Sequence, residues 1–182
     1  MELTEAIKGR RSIRKYRPDP VPEEALKAVL EAVQWAPSWA NTQCWEVIVV
    51  SDPEVKARLA EALPQGNPGS TGFKQAPLAL VLCGKKGVSG VLGGKASDRD
   101  DWHMFDTGLA MQNLCLAAHG QGLGTVVIGW FDSARAAQIL GVPEGVDLVA
   151  ITPLGYPARE GSAPKRKDLS EFVFQNSYGK KA

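Results

Sequence analysis

Long apolar runs are missing from this sequence, and so is any strong imbalance of charge. No stretch approaches the ~20 apolar residues that a membrane-crossing helix needs, so neither a spanning segment nor a signal peptide is expected. The formal net charge is +1 over 182 residues, too near neutral for a global field that recruits nucleic acid or anionic lipid. Cysteine is scarce. Cys44, Cys83 and Cys115 are an odd number without metal-ligand spacing, and Cys83 and Cys115 sit in apolar patterns that read as reduced core thiols. Only His103 and His119 supply imidazole, far apart in the chain, and no Gly-x-Ser-x-Gly elbow occurs. That leaves no hydrolase constellation. Gly122 and Gly124 lack the further glycine and the acidic partner of a dinucleotide fingerprint, and read as turn residues. These absences point to a cytoplasmic protein that binds no nucleic acid, no membrane and no metal.

What is present fits one domain over residues 1–182, with an ordinary hydrophobic share of 44%. Pro22 opens a helix carrying Leu26, Val29, Leu30 and Val33 at helical spacing, which must end before Pro37. Trp45 to Val50 reads as a strand. A short helix follows with Val55, Leu59 and Leu63 on one face, stopping at Pro64. Gln65 to Gly72 is rich in glycine and proline and reads as a mobile loop. Leu78 to Cys83 is a compact apolar run, short enough for a buried strand. Gly84 to Arg99 has no clear period, and a loop of that length is usually functional or disordered.

Asp101 to His119 is the longest helical pattern. Phe105, Leu109, Gln112 and Leu116 form one stripe, with Met104, Gly108, Met111 and Cys115 beside it, so the helix should be buried on several sides. Thr125 to Trp130 and Leu148 to Leu154 read as further strands. Between them Asp132 or Ser133 caps a helix that runs through Leu140 and ends at Gly141. Strands separated by helices give an α+β fold whose strand order composition does not fix.

Two segments carry chemistry. Arg10-Arg11-Ser12-Ile13-Arg14-Lys15-Tyr16-Arg17 is dense in guanidinium forks, the side chain best shaped to hold a phosphate bidentately. Alone, such a run also reads as a solvated face or a nucleic-acid arm. The second is Ala36-Pro37-Ser38-Trp39-Ala40-Asn41-Thr42-Gln43-Cys44-Trp45, lying between a helix pattern and a strand pattern. Together they resemble the FMN-dependent nitroreductase family, in which an Arg-Arg-Ser-hydrophobic-Arg segment precedes Pro-Ser-x-x-Asn-x-Gln-Pro-Trp. Pro37, Ser38, Asn41, Gln43 and Trp45 match, and Cys44 stands where proline is usual. Gly122-Leu123-Gly124-Thr125 leading into Val126 to Gly129 looks like the family's Gly-Leu-Gly-Thr strand. The segment Lys165 to Val173 looks like its C-terminal Arg-Lys-Pro-Leu-x-Glu-x-Val, with Asp168 replacing proline.

The resemblance implies a mixed β-sheet flanked by helices, in an intertwined homodimer whose terminal segments wrap the partner. It implies FMN as cofactor, with Arg10, Arg14, Arg166 and the Ser12 hydroxyl on the phosphate and Arg11 near the N1/C2 edge of the ring. Positive charge at that edge would stabilise the reduced flavin. Ser38 and Asn41 would reach the flavin held mainly by the other subunit, and Pro37 and Gln43 count with them among the cofactor-binding residues. For Ser38 taken alone, turn chemistry is a strong alternative. Backbone amides at Ile128, Gly129 and Trp130 would meet the N5/O4 edge. Trp102 and His103 are candidates for a substrate pocket, although a solvent-facing histidine at a helix start competes for His103. Cys44 reads as a packed small residue before a reactive thiol.

The implied activity is an FMN-dependent oxidoreductase of nitroreductase type. It would take hydride from NADH or NADPH and pass electrons to a nitroaromatic, quinone or similar small acceptor in a ping-pong cycle, with no catalytic protein nucleophile. Alternatives are a specialised member that dehalogenates or consumes its own flavin, and a flavin-binding redox sensor without turnover. The Gly84 to Arg99 segment would govern the acceptor.

Overall fold

The computed structural model describes residues 1–92, 95, 96, 98, 99 and 101–181. Its elements run α1 (Leu3–Gly9), α2 (Glu23–Gln34), β1 (Trp45–Val50), α3 (Pro53–Ala60), α4 (Ser70–Gln75) and β2 (Leu78–Lys85). There follow β3 (Val91–Leu92), β4 (Lys95–Ala96), α5 (His103–Gly120), α6 (Ser133–Leu140) and β5 (Val146–Leu154).

β2 is the centre of the molecule. It pairs antiparallel with β1 on one side and β5 on the other. Its apolar run is buried on both faces, which is why it reads as continuous rather than alternating. Leu80 and Leu82 pack with Val29 and Val33 of α2 and with Ala110 and Leu114 of α5. Ala79, Val81 and Cys83 point the other way, into a cluster with Leu59 of α3, Phe73 of α4, Ala136 of α6 and Ile151 of β5. The period-2 alternation of one strand therefore builds two cores, one on each side of the sheet.

Among the described residues the extended ladder is antiparallel, and the parallel pairing expected of a mixed sheet is found at one bridge, Ser12 with Thr125. The segment 125–130 does not form the continuous strand its composition suggests. It touches its neighbours at separate bridges, Ser12–Thr125 and Ile128–Ile151, with Gly124–Gly155 just before it, because it crosses from the N-terminal segment to β5. Residues 65–72 are not a free loop. Asn67 is buried, its Nδ2 donating to the Trp130 carbonyl at 2.7 Å, and α4 begins at Ser70. α3 stops at Ala60, four residues short of Pro64, and Leu63 is buried just beyond it.

The 84–99 segment is not one aperiodic loop. β2 continues through Lys85, and β3 and β4 pair antiparallel. Gly93, Gly94 and Ser97 of that segment lie outside the described residues. α6 is capped by the Asp132 carboxylate, which accepts from the Arg135 amide at 3.0 Å, and ends at Gly141 as expected.

α5 departs from expectation in its orientation. Its buried face carries Asp106, Ala110, Leu114, Cys115 and Ala118, whereas Met104 and Phe105 are more than half exposed and Gln112 faces out. Along the stripe from Phe105 to Leu116, Phe105 and Gln112 are exposed and Leu109 and Leu116 half-buried, so this is the less covered side of the helix.

Candidate functional site

The basic run is held by backbone pairing on both sides. The Ile13 amide donates to the Thr125 carbonyl at 2.8 Å, the Arg17 amide to Tyr156 at 2.9 Å, and the Ala158 amide to Lys15 at 3.0 Å. Ile13 and Tyr16 are buried with Ala76, and the Tyr16 hydroxyl donates to the Ile13 carbonyl at 2.7 Å. Burying these two side chains turns Ser12 and Arg14 outward. The Gly-Leu-Gly-Thr segment makes the close approach possible. A Cβ on Gly124 would lie 2.8 Å from the Ile13 Cβ and Cγ1, closer than two side chains can pack.

Arg10, Arg11, Ser12, Arg14, Ser162 and Arg166 line one cavity of about 400 Å³. Arg14 also lines a neighbouring cavity of about 190 Å³ walled by Asn67, Gly69, Ile128, Gly129 and Trp130. The two expected halves, a cationic hold and a backbone edge, therefore meet at Arg14. Among the described residues no carboxylate lies within 4.0 Å of the guanidinium groups of Arg10, Arg11, Arg14 or Arg166. Four unneutralised cations around one space are costly to assemble unless an anion joins them. Arg11 lines the cavity with its guanidinium engaged locally, its Nη1 donating to the Lys8 carbonyl at 2.5 Å and the Arg10 carbonyl at 2.8 Å at the end of α1. At Gly129 a Cβ would meet nothing within 4 Å, so no packing inside the chain demands glycine there.

Pro37, Ser38, Asn41 and Gln43 are elsewhere. Their loop is a short 3₁₀ turn, Trp39–Asn41, in which Ala40, Asn41 and Gln43 have φ of 45°, 57° and 49°. A left-handed non-glycine residue costs on the order of 1 kcal/mol or more and persists only where its surroundings impose it. Here the Trp39 amide donates to both Asp106 carboxylate oxygens at 3.1 Å, and the Gln43 amide to the Ser38 hydroxyl at 2.9 Å. The turn role open to Ser38 is therefore occupied. Asn41 and Gln43 remain exposed, the Gln43 Nε2 reaching the Asn41 Oδ1 at 3.4 Å.

Asp106 anchors this loop on α5, while Arg10 and Arg11 share a cavity wall with His119 near the other end of that helix. Those two points are roughly 20 Å apart along the axis. Within one chain the 38–43 loop and the arginine cavity face different places.

His103 is not solvent-facing. It is buried, with Nε2 3.2 Å from Asp147 Oδ2 and Nδ1 2.8 Å from Asp101 Oδ1. Trp102 is half-buried and meets Phe105 edge-on at 5.4 Å between ring centroids. Cys44 is buried, its thiol pushed up to about 11 by burial and then by Asp106, which makes it a poor nucleophile. Asp106 itself escaped sequence reasoning. Its signal was there: it is the only Asp, Glu, Lys or Arg in the whole of α5.

The described geometry defines an α+β fold, an antiparallel sheet between two helical layers, with an arginine-lined pocket at one end of its long helix. The chain belongs to the nitroreductase family, whose model matches residues 7–72 and 65–156. It is 35% identical to the NADH dehydrogenase of Thermus thermophilus, with 93% of each chain covered. It is 30% identical to the FMN reductase [NAD(P)H] of Bacillus subtilis, over 97% of this chain and 74% of that one. The FMN-dependent nitroreductase of Clostridium difficile R20291 superimposes with a TM-score of 0.81 at 29% identity, covering 97% of this chain and all of the other (100%).

Proposed function

We propose that the protein is an FMN-dependent NAD(P)H oxidoreductase acting on a small acceptor such as a quinone or nitroaromatic. The observation that carries this reading is the arginine cavity, four cations and a serine hydroxyl around about 400 Å³, joined through Arg14 to the backbone of Ile128, Gly129 and Trp130. A phosphate monoester is dianionic near neutral pH and offers three acceptor oxygens, which suits that donor set. Bound there, FMN would accept hydride from NADH or NADPH and reduce the acceptor in a second half-reaction, ping-pong fashion.

The chain's own residues bind and orient. Arg10, Arg166 and Ser12 hold the phosphate. Arg14, which lines both cavities, would serve the N1/C2 edge better than Arg11, which is engaged with the end of α1. Amides of Ile128 to Trp130 serve the opposite edge. Pro37, Ser38, Asn41 and Gln43 act on the flavin of a second copy, because their loop lies too far from the arginines of their own chain. The protein therefore works as a homodimer. Three free, buried cysteines suit a reducing, cytoplasmic setting. Trp102 belongs to the acceptor side, and the carboxylates around His103 give that residue a structural role there.

The test is flavin selectivity. Wild-type protein should take up FMN stoichiometrically and prefer it to riboflavin, and NADH or NADPH should bleach it rapidly under anaerobic conditions. Arg10→Ala with Arg166→Ala should weaken FMN by at least about a hundredfold, given about 1.5–3 kcal/mol for each charged hydrogen bond lost, and riboflavin hardly at all. Equal weakening of both flavins would remove these arginines from the phosphate, and slow bleaching would favour a redox sensor.

A further inference from the structure

The Asp106 carboxylate is 1% exposed and receives donors from two separate segments. The Trp39 amide reaches both of its oxygens at 3.1 Å. The Ser89 hydroxyl donates to Oδ2, and the Cys44 thiol lies 3.7 Å from the same oxygen. Ser89 is fully buried and belongs to the turn that leaves β2, where its carbonyl also accepts the Trp102 amide at 3.0 Å. One acceptor-only group thus holds the 38–43 loop and the root of the 86–92 segment together.

We propose that Asp106 is a positioning residue, the shared anchor that couples these two loops: the loop presenting Asn41 and Gln43 and the segment on the acceptor side each depend on its carboxylate. Its flavin-related half rests on the function proposed above. A carboxylate is matched to this place because every neighbour is a donor, and an ionised carboxylate accepts in all directions. Three left-handed residues in the 38–43 loop need such an anchor to stay in place. When the anchor goes, both loops relax together.

The experiment compares amide hydrogen exchange at residues 38–44 and 86–90 in the cofactor-free wild type and in variants. Asp106→Asn leaves one acceptor oxygen and points an NH₂ at donors, and should speed exchange at both loops by about tenfold. Ser89→Ala should release only 86–90. Trp39→Pro should release only 38–43, since it removes the amide hydrogen while Ser38, at φ −138° and ψ 160°, already has the extended backbone that precedes proline. Trp39→Ala controls for loss of the ring. Adding either single change to Asp106→Asn should give no further acceleration.

With FMN present, Asp106→Asn should weaken the cofactor about tenfold and shift the absorbance of the bound flavin, neither of which Ser89→Ala should do. A folded Asp106→Asn protein with wild-type exchange at either loop overturns the coupling. If that variant does not fold, Ser89→Ala with unchanged exchange at 86–90 overturns it equally. A wild type that binds no FMN while the exchange pattern holds rejects the flavin reading and supports the coupling.

Discussion

His119 reports on the arginines beside it. It shares a cavity wall with Arg10 and Arg11, and its pKa is lowered by burial first and by those two guanidinium groups next. A depressed imidazole value means that the unfolded chain binds the proton more readily. The contribution of neutral His119 to stability is then complete above about pH 6.5, the unfolded value, and is lost as pH falls through the folded value. An anion held by Arg10 cancels part of this depression and leaves the burial part. In an NMR titration, His119 should therefore titrate higher with FMN bound than without it. Arg10→Ala should raise it in the cofactor-free protein. A titration that responds to Arg10→Ala but not to FMN would place the bound anion away from Arg10. That the arginines gather on one cavity was legible in sequence because the resemblance rests on a particular side chain at a particular spacing. Asp106 and His103 were not, because their roles come from what the fold packs around them. His103 carries no mark in the sequence that distinguishes a surface helix start from a residue lying between Asp101 and Asp147.

Elements were readable where a local pattern and tertiary packing agree. β2, α2 and α6 stand where periodicity and caps put them, since burying Leu80, Val29 or Ala136 satisfies both. The segment 125–130 was misread because β-propensity says nothing about whether neighbours line up for a whole ladder or for single bridges. Its contribution is to carry the basic run, and Gly124 is where the two segments come closest. Gly124→Ala should push Ile13 away and cost roughly 1–3 kcal/mol, seen as a lower midpoint in thermal unfolding. Because Ile13 stands between Ser12 and Arg14, FMN affinity should fall in the same variant at temperatures where it remains folded. Unchanged stability and affinity together would mean that the basic run is not seated by this contact.

At the scale of the whole molecule, the proposed dimer would join two surfaces. The arginine cavity and the 38–43 loop sit near opposite ends of α5, and the helix between them leaves Met104 and Phe105 more than half exposed. A helix that is apolar on nearly all sides is stable only when those sides are covered, and a second copy can cover this stripe while bringing its own 38–43 loop to the first copy's arginines. Such an arrangement is isologous, so each dimer would hold two sites, each built from both chains. Complementation tests it directly. Arg10→Ala should disable the phosphate side and Asn41→Ala the ring side, each in both sites of its own homodimer. In a heterodimer of the two variants, one site collects both defects and the other collects neither. Mixed, differently tagged subunits isolated as heterodimers should therefore bind FMN at one site per dimer with wild-type affinity. If Asn41 served its own chain's flavin, each site would carry one defect and no wild-type site would appear. Heterodimers that show only weakened binding at both sites would thus return Asn41 to the subunit that carries it.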